Sequence, residues 1–286
     1  MALIMVLWVV TLLTVIAASF TLGMRREAGT LRHMLEVAEA RAAAEAGVRF
    51  AMLGLSESDQ AASWDPDGRP RELAFGEMTL TIRVADEAGR VDLNAADGEL
   101  IDGLLRGAGV TDDGARALVR DNILDWRDAS PHRREAGLSG ADYRAAGLDY
   151  GPRNGPFVSV EELLLVPGVT PELYRRLLPS LTVHSLQSGV NLSVASRSVL
   201  MALPGIDTHA VETYLSRREE AAEQGLPAPG FEGLGLGATG GGAYSVHSVA
   251  RMPSGLEQGL RVVLVPETGT AREPYKIVHY RLEEAP

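Results

Sequence analysis

Residues Ala2–Leu22, ALIMVLWVVTLLTVIAASFTL, contain no charge, no proline and no glycine. A bilayer core takes about 20 such residues as one helix rising about 1.5 Å each, and this run has that length. Its polar side chains are Thr11, Thr14, Ser19 and Thr21. Such hydroxyls bond back to a carbonyl one turn earlier, which makes them tolerable in lipid. A cleaved signal peptide would show a basic start, an apolar core of about 7–15 residues and a small-residue cleavage site. Here nothing basic precedes the run, and it continues unbroken into an amphipathic pattern. The run therefore reads as a retained membrane helix. Arg25 and Arg26 follow it. By the positive-inside rule alone they place the following domain in the cytoplasm, whereas a basic leader upstream would reverse that, so the run leaves orientation open. The hydrophobic opening at Met1 is that of a chain starting at a processing site.

The helical pattern extends over 23–55. Leu31, Met34, Leu35, Ala38, Ala42, Ala46, Phe50 and Leu53 recur at spacings of three and four, with charges on the other face. Joined to the apolar run, this segment makes a rod of about 80 Å. Its alanines predict close approach to another helix, in its own domain or in a neighbouring subunit. Ser56–Pro70 breaks the helix, and WDPDGRPR reads as turn chemistry. Glu77–Ala85 alternates Met78, Leu80, Ile82 and Val84 with polar residues, as a half-buried strand does.

From Asp92 to about Gln224 the pattern is helical and weakly repetitive. Three stretches each read as a short helix, a glycine turn and a second helix. The turns are Gly109-Val110-Thr111, Gly168-Val169-Thr170 and Gly205-Ile206-Asp207. The glycine ends one helix, and Thr111, Thr170 or Asp207 is expected to cap the next. Such helix-hairpin-helix units bind DNA when bare helix N-termini meet phosphate. Here Asp112, Asp113, Glu172 and Glu212 follow the turns, and the net charge is −11, so phosphate is repelled and packing is the expected role. Between the first two copies lies an irregular loop, Asp125–Phe157. A structureless loop of that length needs something to order it. Asp125, Asp128 and Asp142 offer hard oxygen ligands to calcium. The alternative is that they cap helices and pair with Arg127, Arg133 and Arg134.

The stretch 225–242 is a glycine-rich linker. Ala243–Met252, Leu260–Glu267 and Tyr275–Leu282 then alternate as three strands of an antiparallel meander. With Glu77–Ala85 they complete one sheet packed on the end of the long helix. The fold class is thus α+β, with a helical domain over 92–224 inserted into a head formed by 56–91 and 243–286. No cysteine is present, which excludes disulfides and thiolate metal sites. The histidines have no metal-ligand spacing, and there is no nucleophile elbow, phosphate-binding loop or zinc-protease motif, so no enzyme is expected.

DEAGRVDLNAA at Asp86–Ala96, DWRD at Asp125–Asp128, the run Tyr150–Ser185, GVNLSVAS at Gly189–Ser196 and ALPGID at Ala202–Asp207 together carry a resemblance. On them the chain resembles the minor pseudopilin K of type II secretion systems over nearly its whole length. The resemblance implies a single-pass protein of the bacterial inner membrane with a periplasmic α/β head and a large helical insertion. It implies a place at the pseudopilus tip, initiating assembly in complex with minor pseudopilins I and J and the other pseudopilins, without nucleic acid. A membrane-anchored DNA receptor built from helix-hairpin-helix units is the competing reading. The resemblance also implies a basic leader cut by prepilin peptidase and a methylated new N-terminus, so that Met1 is the mature first residue or lies just inside it. That leader would turn the head to the periplasm despite Arg25 and Arg26. Most pseudopilins carry glutamate at mature position 5, where this chain has Met5. A carboxylate in lipid is costly unless it pairs with the amine of the subunit ahead, and a tip subunit has none ahead. Relatives of this kind bind calcium through D-W-x-D-x-D followed by G-A-E. This chain keeps Asp125 and Asp128, but has Ser130 at the third position and Asp142 in place of the glutamate.

Overall fold

The structure, a computed structural model, describes residues 2–57, 63–130, 132–231, 240–267 and 274–284. Helix α1 runs unbroken over Ala2–Ser56. Within the apolar run, Thr11 donates to the Leu7 carbonyl at 2.6 Å, Thr14 to Val10 at 2.7 Å and Thr21 to Ala17 at 2.8 Å. The hydroxyls thus bond back as their spacing predicts. Met1 and residues 232–239 of the glycine-rich linker lie outside the described residues.

Five strands form one antiparallel sheet: β1 (Asp67–Phe75), β2 (Met78–Asp86), β5 (Tyr244–Arg251), β6 (Glu257–Pro266) and β7 (Tyr275–Glu284), in the order β1-β2-β5-β6-β7. Strand β1 falls partly where the sequence reads as turn. Pro70 is accommodated because β1 is an edge strand with a register shift between Asp67 and Pro70, and Gly68 takes φ +81° there. Strands β2 and β5 are hydrogen-bonded neighbours, yet everything from Glu87 to Ala243 lies between them in sequence. That intervening chain is the helical insertion.

The head's core forms where α1 crosses the sheet. Leu80, Ile82, Val84, Val246, Leu260, Val262 and Leu264 fill one sheet face. Against these bulky side chains the helix presents small ones: Ala40, Ala43, Ala44 and Ala51 are all within 1% of full burial, with Val48 and Met52 beside them. Gly47 lies so close to β5 that a Cβ there would overlap the Ser248 Oγ. The alanine stripe therefore serves helix–sheet rather than helix–helix contact. It is also out of phase with the stripe singled out from the sequence. Leu31, Met34, Leu35 and Leu53 face outward, each more than half exposed. Helical periodicity admitted both stripes, and the sheet selected the one that let backbones approach most closely.

The insertion has a separate core. It contains α2 (Gly98–Gly107), α3 (Asp113–Arg127), α4 (Gly140–Ala145), α5 (Pro171–Leu177), α6 (Arg197–Leu200) and α7 (Thr208–Glu223). The second repeat opens with a 3₁₀ segment, Val160–Leu165, rather than an α-helix. A two-stranded parallel pair, β3 (Val91–Asp92) with β4 (Leu181–Thr182), interrupts the stretch read as wholly helical. The turn glycines Gly109, Gly168 and Gly205 take φ of +94°, +89° and +75°, as helix-ending glycines do. Thr170 and Asp207 cap α5 and α7, but α3 is capped by Asp112 and not Thr111. The first turn is one residue longer, and the carboxylate is what reaches the Ala115 amide.

Candidate functional site

Three places hold the chain's unusual chemistry: the outward side of α1, the joint between head and insertion, and the C-terminal half of α3.

Along α1 the large apolar residues from Leu3 to Phe20 are all at least half exposed, and Met5 is 75% exposed. This helix is long and apolar enough to cross a membrane. Exposure does not stop where the apolar run ends, because Leu31, Met34 and Leu35 continue it toward the head.

The joint is built from buried acids. Asp92 is fully buried and accepts from the Asn94 amide at 2.7 Å, the Leu186 amide at 2.8 Å and the Ser185 hydroxyl at 3.1 Å. Leu186 sits in the left-handed region at φ +53°, so this carboxylate holds a costly backbone turn. Glu87 bonds Thr182 and pairs with Arg90 at 2.8 Å. Asp86 accepts from the Ala88 amide, and its desolvation by burial raises its pKa. Burial lowers the pKa of His184, helped by His279 and opposed by Glu87 and Asp92. Burial also lowers that of His247, where Glu283 at 3.0 Å opposes the shift. A histidine whose folded pKa lies below the unfolded value of about 6.5 binds fewer protons folded than unfolded in that window. Its contribution to stability is present above about pH 6.5 and is lost as pH falls toward the folded pKa. Thermal melts at stepped pH are therefore expected to fall as pH drops from about 7 through 6, less steeply for His184→Gln with His247→Gln. A flat wild-type profile would contradict this.

The third place contains the residues expected to bind metal. Helix α3 turns Val119, Ile123 and Trp126 into the insertion's core, and Trp126 stacks on Phe157 at 6.0 Å as a packing anchor. The opposite face carries Asp121, Asn122, Asp125 and Asp128, and each grips the following loop by a backbone amide. Asp121 accepts from Ala136 at 3.1 Å, Asn122 from Leu138 at 2.8 Å, Asp125 from Arg134 at 3.2 Å and Asp128 from Ser130 at 2.9 Å. The Arg134 side chain also donates to Asp125 at 2.6 Å and lies 3.6 Å from Asp128. Gly137 closes over Asp125 so tightly that a Cβ there would overlap its Oδ2. Asp142 is elsewhere engaged, in a capping box with Ser139 at the start of α4 and 3.5 Å from Arg133. The Ser139 hydrogen bonds lower its pKa. Ser130 uses its Oγ to accept the His132 amide.

The four residues Asp125, Asp128, Ser130 and Asp142 thus do not converge on one point. Among the described residues no group of three or more acidic or histidine side chains is placed to hold a metal ion. In this arrangement the Arg134 guanidinium takes Asp125 Oδ1, and guanidinium groups stand 3.6 Å from Asp128 and 3.5 Å from Asp142. Arg127 is not one of these partners. It reaches back to the Leu93 and Ala96 carbonyls, both at 2.6 Å. Reading the sequence for metal spacing missed Asp121 and Asn122. The spacing i, i+1, i+4, i+7 on one helix face was the available signal.

The hairpin N-termini are occupied from within. Asp112, Thr170 and Asp207 each accept the amide three residues on. Three nearby arginines form ion pairs, Arg116 with Asp113, Arg176 with Glu172 and Arg197 with Glu212. A phosphate approaching α3 or α7 would meet a capping carboxylate. The open groove of ≈ 630 Å³ between α2 and the 201–206 turn has Asp102 on its wall, paired with Arg106 at 2.7 Å and Arg116 at 3.3 Å.

Residues 81–185 match the family model for the type II secretion system, protein K. The type II secretion system protein K of Pseudomonas aeruginosa is 28% identical over 156 residues, covering 49% of this chain and 44% of the relative. The aligned part is thus less than half of that relative's length. A chain in the crystal structure of the GspK-GspI-GspJ complex from the enterotoxigenic Escherichia coli type 2 secretion system superposes with a TM-score of 0.62. The identity is 16%, and the match covers 89% of this chain and 99% of that one. Over residues 81–185 the chain is thus similar to the type II secretion system protein K family, and along most of its length it shares the fold of a chain in that complex.

Proposed function

We propose that this chain is a non-catalytic minor pseudopilin, seated at the tip of the pseudopilus with minor pseudopilins I and J and helping to start its assembly. The observation that carries this reading is the outward stripe of α1. Lipid accounts for the exposed apolar residues up to Phe20, but not for Leu31, Met34 and Leu35 beyond Arg25 and Arg26. Those residues call for a lateral protein partner, which the helices of neighbouring subunits would provide. Before extraction into the fibre, α1 would hold the chain in the inner membrane with the rest in the periplasm. Met5 supports a terminal position, since an uncharged side chain there asks for no amine ahead of it.

The test is co-purification of the full chain, from detergent-solubilised membranes, with the I and J subunits of the same organism. A stable complex is expected from the wild type, and its loss from the combined Leu31→Glu, Met34→Glu and Leu35→Glu chain. Failure of the wild type to retain either partner would overturn the reading.

A further inference from the structure

We propose that Arg134 is the built-in cation of the loop after α3, so that the loop is ordered by a guanidinium rather than by a divalent metal. Asp125 is buried, and buried carboxylates persist only when paired or hydrogen-bonded. Arg134 meets that need twice, through its backbone amide at 3.2 Å and its Nη1 at 2.6 Å. The same Nη1 lies 3.6 Å from Asp128, so one group faces two of the carboxylates on this side of α3. Arg133 lies 3.5 Å from Asp142. Together the two arginines bring the two positive charges that a divalent ion would bring, already tethered to the chain. Tethering matters because the loop's own backbone carries the cation to the acids. Three further amide grips, at Asp121, Asn122 and Asp128, then fix the register. A serine at position 130 fits this arrangement, since a third carboxylate would add negative charge with no arginine assigned to it. Gly137 completes the enclosure by allowing its backbone to lie against Asp125. The inference concerns the insertion alone and stands or falls independently of partner binding.

The experiment uses the full chain in detergent. The melting temperature of the wild type is expected to be the same in EDTA and in millimolar calcium. Arg134→Gln is expected to lower it by about 3–6 °C. It should also remove hydrogen-exchange protection from the amides of Arg134's replacement, Ala136 and Leu138. Arg134→Lys, which keeps a point charge but loses the planar fork, should fall between the two. A wild-type melting temperature that drops in EDTA or rises with calcium would overturn the proposal. So would an Arg134→Gln chain with unchanged melting and exchange. Should Arg134→Gln fail to fold, the wild-type comparison of EDTA with calcium still decides.

Discussion

Gly47→Leu is expected to lift α1 from the sheet and to cost about 3 kcal/mol, the upper part of the range for overpacking a filled interior. Helix propensity alone predicts the opposite, because glycine inside a helix is worse than alanine or leucine by about 0.5–1 kcal/mol. Packing wins because a Cβ at position 47 would overlap Ser248 Oγ, with Ser248 Cβ at 3.1 Å and Ile82 Cγ1 at 3.3 Å behind it. Ile82 and Ser248 are themselves fully buried, so neither has free volume to move into. The hydroxyl of Ser248 has no hydrogen-bond partner among the described residues. Ser248→Ala is therefore expected to be neutral or stabilising, since it removes a buried polar atom that gains nothing from its site. In that background Gly47→Ala should be better tolerated than in the wild type, giving a favourable coupling between the two positions. Thermal or denaturant unfolding of the singles and the double measures it. An additive result, or a harmless Gly47→Leu, would show that the helix does not sit on β5 as described.

Asp92→Ala is expected to cost about 3–5 kcal/mol, since each buried donor left without an acceptor costs about 1–3 kcal/mol. The loss is large because three donors, the Asn94 and Leu186 amides and the Ser185 hydroxyl, lose their acceptor together. Leu186 would also lose what holds it at positive φ. Asn94 itself pairs twice with Phe157, accepting its amide at 2.7 Å and donating to its carbonyl at 3.0 Å, so the damage would spread toward the Trp126 stack. Asp92→Asn keeps the shape and one accepting oxygen, and an intermediate loss is expected. Hydrogen exchange should show the β3–β4 pair and the 184–186 turn opening first, ahead of the sheet. A loss near zero for Asp92→Ala would mean that the joint is held mainly by its apolar neighbours.

Much of the architecture was legible in local pattern. Leu80, Ile82 and Val84 announced β2 by strict alternation, and the turn glycines announced the hairpins by residue type. Strand β1 was not legible, because Asp67, Gly68 and Pro70 are turn formers that only an edge position with a bulge admits into a sheet. The acidic loop left two readings open for a different reason. Local spacing shows which carboxylates are present, but not which cation reaches them first. Arg133 and Arg134 were visible as candidate partners, while Arg127 proved to point to the β3–α2 connection. The apolar stripe of α1 shows the same limit, since helical period allows more than one face and burial chooses between them.

The sequence by itself determined the uninterrupted apolar rod, the class of the fold and the family resemblance, because each follows from patterns that neighbouring residues carry on their own. Only the tertiary structure decided which face of the rod packs on the sheet. It alone decided that Arg134 holds Asp125, and that Asp92 holds the joint from a position of no exposure. Those outcomes depend on distance and burial between residues far apart in the chain, such as Gly47 and Ser248 or Asp92 and Leu186, and no local period encodes them.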